Sequence, residues 1–290
     1  MYPASFDYHV PGTVDEAVTL LNEHRDDAKL LAGGHSLLPV MKLRFAQPKH
    51  VIDLRRIPDL TGIREEENAI VIGAMTRYVD VQRSPLVRGR LPVLAEAVAQ
   101  IGDPQVRNRG TVGGSLAHAD PGADLPPVAL ALEAEMMVRR ADGTRLVKAQ
   151  DFFVGMLTTA LDVAEVMTEI RFPIPAGRAG ESYEKHKHPA SGYALVGVAA
   201  VIMLNGGDVI DRARVALTGL STRPMRAPGV EKALIGRHAD ANVIELAAKN
   251  AADGIEIRDD AQWSRAYKAN LAQVVARRAI TRALTRARGT

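Results

Sequence analysis

The first part of the chain alternates between short apolar runs and polar turns in a pattern that predicts a small α/β lobe. Three runs, at 6–10, 29–31 and 49–54, are long enough for short strands. Thr13 precedes an acidic turn and a stripe of apolar residues, which is typical of a capped helix with one buried face. We therefore predict a first lobe at residues 1–55.

After residue 56 the apolar stretches become longer and predict a second, larger lobe. Its predicted elements are the strand 69–75, the helices 78–83, 91–101 and 128–134, the hairpin 135–148 and the strand 166–172. The Asp142-Gly143 pair supplies the hairpin turn, and Pro173 closes the final strand. This lobe is expected to occupy residues 56–175.

A polar, glycine-containing stretch at 175–180 predicts a domain boundary. Beyond it, three strands are followed by three helices; the predicted ranges are 182–186, 194–204 and 213–220, then 230–235, 241–254 and 261–287. Strands followed by helices indicate an α+β domain in which helices pack on an antiparallel sheet. We place it at residues 176–290.

Two glycine pairs are the strongest candidate chemistry. The strand ending at Leu31 runs into Gly33-Gly34, and Gly113-Gly114 lie within GTVGGS at 110–115. Either pair alone could be a tight turn, but two such pairs could present backbone N–H groups to a diphosphate from two sides. Hydroxyls of Ser36 and Thr111 would add donors. Neither stretch matches the P-loop or dinucleotide-binding fingerprints.

The composition excludes several kinds of site and partner. The 290 residues contain no cysteine, which excludes disulfides, a thiolate nucleophile and cysteine-held zinc or iron–sulfur clusters on this chain. The net charge is only +3, and the arginines near the C-terminus lack the interleaved aromatic residues of nucleic-acid binders, so we expect no nucleic-acid partner. No signal peptide and no apolar run of ~18 residues is visible, so we expect a cytoplasmic protein without a transmembrane segment.

Two long segments resemble a known family. AGGHSLLPVMKLR at 32–44 and IGDPQVRNRGTVGGSLAHADPGADLPPVALAL at 101–132 resemble the FAD-contact segments of the flavoprotein (medium) subunits of molybdenum hydroxylases. Among these subunits, the resemblance is greatest to those of aerobic carbon monoxide dehydrogenases. It extends over the whole chain, including YKANLAQVVARRAITRAL at 267–284. The implied fold is α+β: a two-lobed FAD-binding domain of the PCMH/vanillyl-alcohol-oxidase type, followed by a C-terminal α+β domain.

The resemblance also implies which residues contact FAD. The first pyrophosphate loop would consist of Ala32, Gly33, Gly34, His35, Ser36 and Leu37, and the second of Thr111, Val112, Gly113, Gly114 and Ser115. Further contacts would come from Ile101 on the cofactor, Asp124 at sugar or polyol hydroxyls, Met167 at the adenine side, and Lys185 and Tyr193 at the isoalloxazine ring. Ser115 stands where many relatives have Asn or Asp.

The histidines invite two other interpretations. A Gly-Gly-His segment similar to that at His35 bears a covalent flavin in the berberine-bridge type of oxidase, but the overall resemblance is to enzymes with non-covalent FAD. Two groups of residues could suggest metal sites, His118 with Asp120 and Asp124, and His186 with His188. Neither gives a coherent ligand set, so we expect no metal there and interpret them as pocket residues.

By the resemblance, the chain is the FAD-binding electron-transfer subunit of a three-component molybdenum hydroxylase. A large subunit would carry molybdopterin and a small subunit 2Fe-2S clusters, and electrons would leave this chain's FAD for an external acceptor, a quinone or other carrier. The absence of cysteine agrees with that division of labour. Two alternatives remain: an independent flavin oxidase or dehydrogenase of the same fold, and a FAD-free assembly subunit.

Overall fold

The first sheet of the protein is built from its N-terminal residues. The structure, a computed structural model, describes residues 2–289. Strands β1, β3 and β2 pair in that order, all in parallel. The elements of this lobe are β1 (Asp7–His9), α1 (Val14–His24), β2 (Ala28–Leu31), α2 (Leu37–Lys42) and β3 (His50–Asp53).

Helix α1 begins where the sequence predicts it. The Thr13 side chain accepts a hydrogen bond from Glu16 N, and the Glu16 carboxylate accepts one from Gly12 N at 2.7 Å. This reciprocal capping satisfies amide groups that the first turn would leave unpaired. The buried face of α1, which includes Ala17 and Leu21, packs in one apolar cluster with Ile52 of β3.

Within residues 2–289, the second lobe combines a five-stranded antiparallel sheet with seven α-helices. Its strands pair in the order β4-β5-β10-β6-β7. Its strands are β4 (Ile63–Glu66), β5 (Ala69–Gly73), β6 (Glu135–Arg140), β7 (Gly143–Lys148), the short pair β8 (Phe153–Gly155) and β9 (Thr158–Thr159), and β10 (Val166–Pro173). Its helices are α3 (Tyr78–Arg83), α4 (Pro85–Arg90), α5 (Pro92–Ala99), α6 (Pro104–Arg109), α7 (Val112–His118), α8 (Leu125–Ala131) and α9 (Ala149–Phe152).

Seven elements of this lobe were not predicted: β4, α4, α6, α7, α9, β8 and β9. Strand β4 has the sequence IREE and only one residue that is not exposed, so it carries no apolar alternation. Helices α4 and α6 have six residues each, too few to display a helical period, and their signal is the cap. Ser84 accepts from Val87 N, and Asp103 accepts from Val106 N.

The C-terminal domain is a four-stranded antiparallel sheet, β11-β12-β13-β14, covered by helices. Its elements are β11 (Arg178–Lys187), β12 (Ala194–Leu204), β13 (Ile210–Thr218), β14 (Met225–Arg226), α10 (Pro228–Leu234), α11 (Ala241–Ala248) and α12 (Arg265–Ala287). Helix α12 lies so close to β11 that a Cβ at Gly180 would overlap the Ala283 carbonyl oxygen. Helices α11 and α12 are both shorter than predicted, at 241–254 and 261–287.

Partly buried ion pairs join the second lobe to the C-terminal domain. Glu96 of α5 pairs with both Arg282 and Arg286 of α12, and its Oε2 accepts a hydrogen bond of 2.9 Å from Tyr183 N. Near these ion pairs, Glu181 is 4% exposed, and its carboxylate accepts a hydrogen bond of 3.2 Å from Val93 N. Burial raises the pKa of Glu181 to about 8, although the Val93 amide and the Arg286 charge oppose the shift.

No helix among residues 2–289 combines the length and the apolar character needed to cross a bilayer.

The raised pKa of Glu181 predicts a pH-dependent stability. The folded state holds the proton up to about pH 8, whereas the unfolded chain releases it near 4.5, so stability is lost as the pH rises through this window. A Glu181→Gln variant stays neutral and should exceed the wild type in free energy of unfolding by roughly 3–5 kcal/mol at pH 9. At pH 5 the difference should be small.

Urea denaturation followed by circular dichroism at both pH values measures this effect. Glu256→Gln, at an exposed position, is the matched control and should change stability little at either pH. If Glu181→Gln changed the free energy of unfolding by the same amount at pH 5 and pH 9, the raised pKa of Glu181 would be contradicted.

Candidate functional site

The two glycine segments meet where the first and second lobes touch. A Cβ at Gly33 would overlap the Arg109 carbonyl oxygen and lie 2.8 Å from the Gly110 Cα, so only glycine permits this backbone contact. A Cβ at Gly114 would lie 3.6 Å from that of Ala32. The loop after β2 therefore rests on the start of α7, as a two-sided site requires.

The first segment offers a run of free donors. Among residues 2–289, no protein acceptor is found for the backbone N–H groups of residues 33–37. Gly34 has a φ of 77°, a left-handed backbone conformation that favours glycine, and Ser36 does not use its hydroxyl to cap α2. Consecutive N–H groups on a loop of this kind form a concave anion site. This loop can hold a phosphate without any charged side chain.

The second segment does not behave as predicted. Its N–H groups are engaged within the protein: Val112 donates to Thr76 O, Gly113 to Ala74 O, Gly114 to Thr111 Oγ1 and Ser115 to Thr111 O, at 2.9–3.1 Å. Thr111 is the N-cap of α7, so the expected glycine loop is the first turn of a helix. The expectation that these amides are free to hold a phosphate is therefore wrong.

The glycines of this segment have packing roles instead. A Cβ at Gly113 would overlap the Cβ of Ala74, at the end of β5, so the glycine lets α7 lie directly on the sheet. Gly114 presents a bare Cα beside Ala32. What the second segment can offer a ligand is this bare backbone surface and the hydroxyls of Thr111 and Ser115.

A buried polar cluster lies behind the junction. Asp124 is 5% exposed; its Oδ1 accepts from the Tyr183 hydroxyl at 2.5 Å and its Oδ2 from Lys185 Nζ at 2.8 Å. Lys185 Nζ also donates to Gln100 O at 3.2 Å, and its side chain is 1% exposed. Burial raises the pKa of Asp124 and lowers that of Lys185, while their mutual attraction opposes both shifts.

This cluster changes what was expected of Asp124 and Lys185. Asp124 belongs to the second lobe and precedes α8, whereas Tyr183 and Lys185 lie on β11 of the C-terminal domain. Both carboxylate oxygens already have protein donors, so a ligand hydroxyl could use only the remaining lone pairs. The sequence could not show this pairing because 61 residues separate Asp124 from Lys185.

The remaining residues that were expected to contact FAD differ in how exposed they are. Tyr193 is 46% exposed, and its ring would lie 3.4 Å from a Cβ at Gly122, so it is accessible at the rim of the domain junction. Ile101 is partly buried and packs on the main core. Met167 is 5% exposed within that core, paired with Val138 across the sheet. Its side chain faces the protein interior. His35 is exposed, with Nδ1 3.1 Å from Gly33 O.

Tyr78 is a site residue that the sequence did not reveal. It begins α3, is 7% exposed, and occupies the space that a side chain at Gly110 would need. Burial raises the pKa of Tyr78 to about 12; Ser115 opposes the rise, and the charges of Tyr193 and Asp124 add to it. The phenol is thus a neutral wall of the site. The only sequence signal was the glycine at position 110.

The comparisons with known proteins agree on a family. Residues 4–175 match the family described as the FAD binding domain in molybdopterin dehydrogenase, and residues 181–283 match the CO dehydrogenase flavoprotein C-terminal domain. The chain is 46% identical to the carbon monoxide dehydrogenase medium chain of Hydrogenophaga pseudoflava, over 99% of both chains.

Solved structures give the same result. A carbon monoxide dehydrogenase from Hydrogenophaga pseudoflava that lacks the Mo-pyranopterin moiety superposes with a TM-score of 0.95 over 99% of both chains. Quinoline 2-oxidoreductase from Pseudomonas putida 86 superposes with a TM-score of 0.93 at 34% identity, again over 99% of both chains.

The buried Asp124–Lys185 pair predicts a large stability effect. Lys185→Met leaves the Asp124 carboxylate buried beside Tyr183 without its cation, so the free energy of unfolding should fall by about 3–5 kcal/mol. Urea denaturation measures this loss. The double variant Asp124→Asn with Lys185→Met should regain part of it, because no unpaired charge remains.

Lys187→Met, two residues away at an exposed position, is the matched control and should cost little. A Lys185→Met variant as stable as this control would show that the buried pair does not act as described.

Proposed function

The chain belongs to the FAD-binding flavoprotein subunits of molybdenum hydroxylases, and from that membership we propose that it carries electrons between iron–sulfur clusters and an external acceptor. The clusters would lie on a small subunit and the molybdenum cofactor on a large subunit. FAD, held by this chain, supplies the redox chemistry when bound. We further propose that the complex is of the carbon monoxide dehydrogenase type.

The donor set of this chain fits FAD. A dinucleotide diphosphate carries two negative charges and needs several N–H donors at close range. Residues 33–37 supply five backbone amides without protein acceptors. The lack of a side chain at Gly33 lets this loop lie directly against Arg109 and Gly110. This run, together with the contact of Gly33 on Arg109, is the observation that carries the proposal. Ala32, Thr111, Gly114 and Ser115 would line the opposite side, and Val112 and Gly113 would support them from within α7.

The residues on the C-terminal domain side would orient the ring. Lys185 is a buried ammonium group fixed by Asp124 and the Gln100 carbonyl, so its position is set before a ligand arrives. A fixed positive charge near a redox-active ring stabilises negative charge that develops there without further reorganisation. Tyr193, at the accessible rim, would cover part of a ring and limit access from solvent.

The absence of cysteine supports the division of labour among subunits. Iron–sulfur clusters are held by Cys thiolates in most proteins, and this chain has none. Electrons that reach its FAD must therefore come from another polypeptide or directly from a substrate. The relatives named above act on chemically different substrates with nearly the same flavoprotein fold, which favours a substrate site outside this chain. The higher identity to the carbon monoxide dehydrogenase medium chain favours that type of complex.

The visible spectrum of the purified protein tests this function. The chain alone should show flavin bands that carbon monoxide does not bleach, whereas the chain in complex with large and small subunits should be bleached anaerobically. Bleaching of the isolated chain by substrate would overturn the proposal in favour of an independent oxidase or dehydrogenase. A preparation that cannot bind FAD would overturn it in favour of an assembly subunit.

A single glycine substitution tests the diphosphate site. Gly33→Ala places a methyl group against the rigid backbone of Arg109, so the loop must move away from α7. We expect FAD affinity to fall at least about tenfold, equivalent to about 1.4 kcal/mol. The measurement is the flavin-to-protein ratio after dialysis, with circular dichroism to show that the variant is folded.

Gly89→Ala is the matched control, because a Cβ there meets nothing within 4 Å and the residue lies in helix α4. It should keep full flavin content. Equal FAD retention by folded Gly33→Ala and Gly89→Ala would contradict the placement of the diphosphate at this loop.

A further inference from the structure

Three histidines of the first lobe converge in space although they lie on three different elements. His9 ends β1, His24 ends α1 and His50 begins β3. Each offers one ring nitrogen, and these three atoms lie within 4.8 Å of one another. Across residues 2–289 this is the one group of three or more histidine or carboxylate side chains with metal-ligand spacing. It is separate from the glycine loop and from Asp124.

The geometry is close to that of a metal-binding triad. His9 Nε2 is 3.2 Å from His50 Nδ1, and the rings of His24 and His50 stack with centroids 3.6 Å apart and planes 11° apart. Two nitrogens bound to one zinc ion at about 2.0–2.1 Å in a tetrahedron are separated by roughly 3.3 Å. The His9–His50 distance is close to this value, and the His24 ring, whose ligand nitrogen lies within 4.8 Å of the other two, would turn from its stack on His50 to complete the triad.

A carboxylate oxygen of Asp7 lies near enough to be the fourth ligand. The Asp7 carboxylate lies 3.7 Å from His50 Nδ1 and is otherwise exposed. The three rings are half-buried, so a bound ion would be held in a partly enclosed pocket and still be reached from solvent. Lys49, the neighbouring cation, is occupied by Asp27 at 2.8 Å and does not neutralise the Asp7 carboxylate. Imidazole nitrogens with one carboxylate or water suit a zinc-like divalent ion.

We propose that His9, His24 and His50 form a binding site for one divalent transition-metal ion of the zinc type, completed by Asp7 or water. The site has a structural role rather than a catalytic one. It lies where β3 begins, because Asp7 and Ala28 are both paired with His50, while the glycine loop follows the other end of β2. An ion here would join β1, α1 and β3, and so stabilise the lobe that carries the glycine loop.

Metal titration of the full-length, chelator-treated protein tests the proposal. Calorimetry with Zn²⁺ should show about one high-affinity equivalent per chain, and Co²⁺ should give the visible d–d bands of a tetrahedral site. The midpoint of thermal unfolding should rise with Zn²⁺ concentration, because the ion binds the folded state.

His24→Phe is the decisive variant, because phenylalanine keeps a ring stacked on His50 but offers no ligand. We expect its Zn²⁺ affinity to be at least about 100-fold weaker, since even changes in outer-shell partners cost 10–100-fold. It should also lose the Zn²⁺-dependent rise in the unfolding midpoint, while its stability in chelator stays near that of the wild type. His238→Ala, at an exposed histidine outside the cluster, is the matched control and should bind as the wild type does.

Two results would overturn the proposal. One is the absence of a stoichiometric Zn²⁺ or Co²⁺ site in the wild type. The other is a site of unchanged affinity in folded His24→Phe, which would place the ion elsewhere. If His24→Phe does not fold, His9→Gln provides the same comparison, because it removes a ring nitrogen from the half-buried end of β1.

Discussion

The site depends on one contact in which two backbones touch without side chains between them. Gly33 of the first lobe lies against Arg109 and Gly110 of the second, at a distance that a single Cβ would prevent. The contact is made by backbone atoms alone, and within residues 2–289 the amides of residues 33–37, which begin at this contact, have no protein acceptor. The site is therefore a property of the two lobes together, and neither lobe contains it alone.

The same close approach explains why the second glycine pair has a different role from the first. Gly113 brings α7 down onto Ala74, and the amides that follow are consumed by the helix and its Thr111 cap. A Gly-Gly sequence thus serves as a donor loop in one place and as a packing surface in the other. The two pairs differ in what they pack against. Gly33, after β2, lies against the Arg109–Gly110 backbone, whereas Gly113 in α7 lies against Ala74 at the end of β5.

Ion pairs, one of them buried, hold the C-terminal domain against the FAD-binding lobes. The pair of Asp124 with Lys185 and the seam of Glu96 with Arg282 and Arg286 both cross this boundary. A buried pair such as Asp124 with Lys185 adds little net stability compared with apolar packing of the same volume, but removing one partner leaves an uncompensated buried charge. The Asp124 contact, together with the Gln100 carbonyl, sets the position of the Lys185 ammonium group at the boundary between the domains.

The sequence by itself determined the local elements that carry a clear period or cap, such as the Thr13-capped helix α1, and the family to which the chain belongs. It also singled out the two glycine segments that meet in the structure, because glycine pairs and long motifs are local signals. It missed short elements such as β4, α4, α6 and α7, whose few residues show no period, and it gave the second glycine pair a donor role. Only the tertiary structure decided which amides stay free, that Tyr78 fills the space beside Gly110, that Asp124 is already paired, and that His9, His24 and His50 meet. The physical reason is common to all four: each depends on distance between residues far apart in sequence, and that distance is set by packing rather than by local pattern.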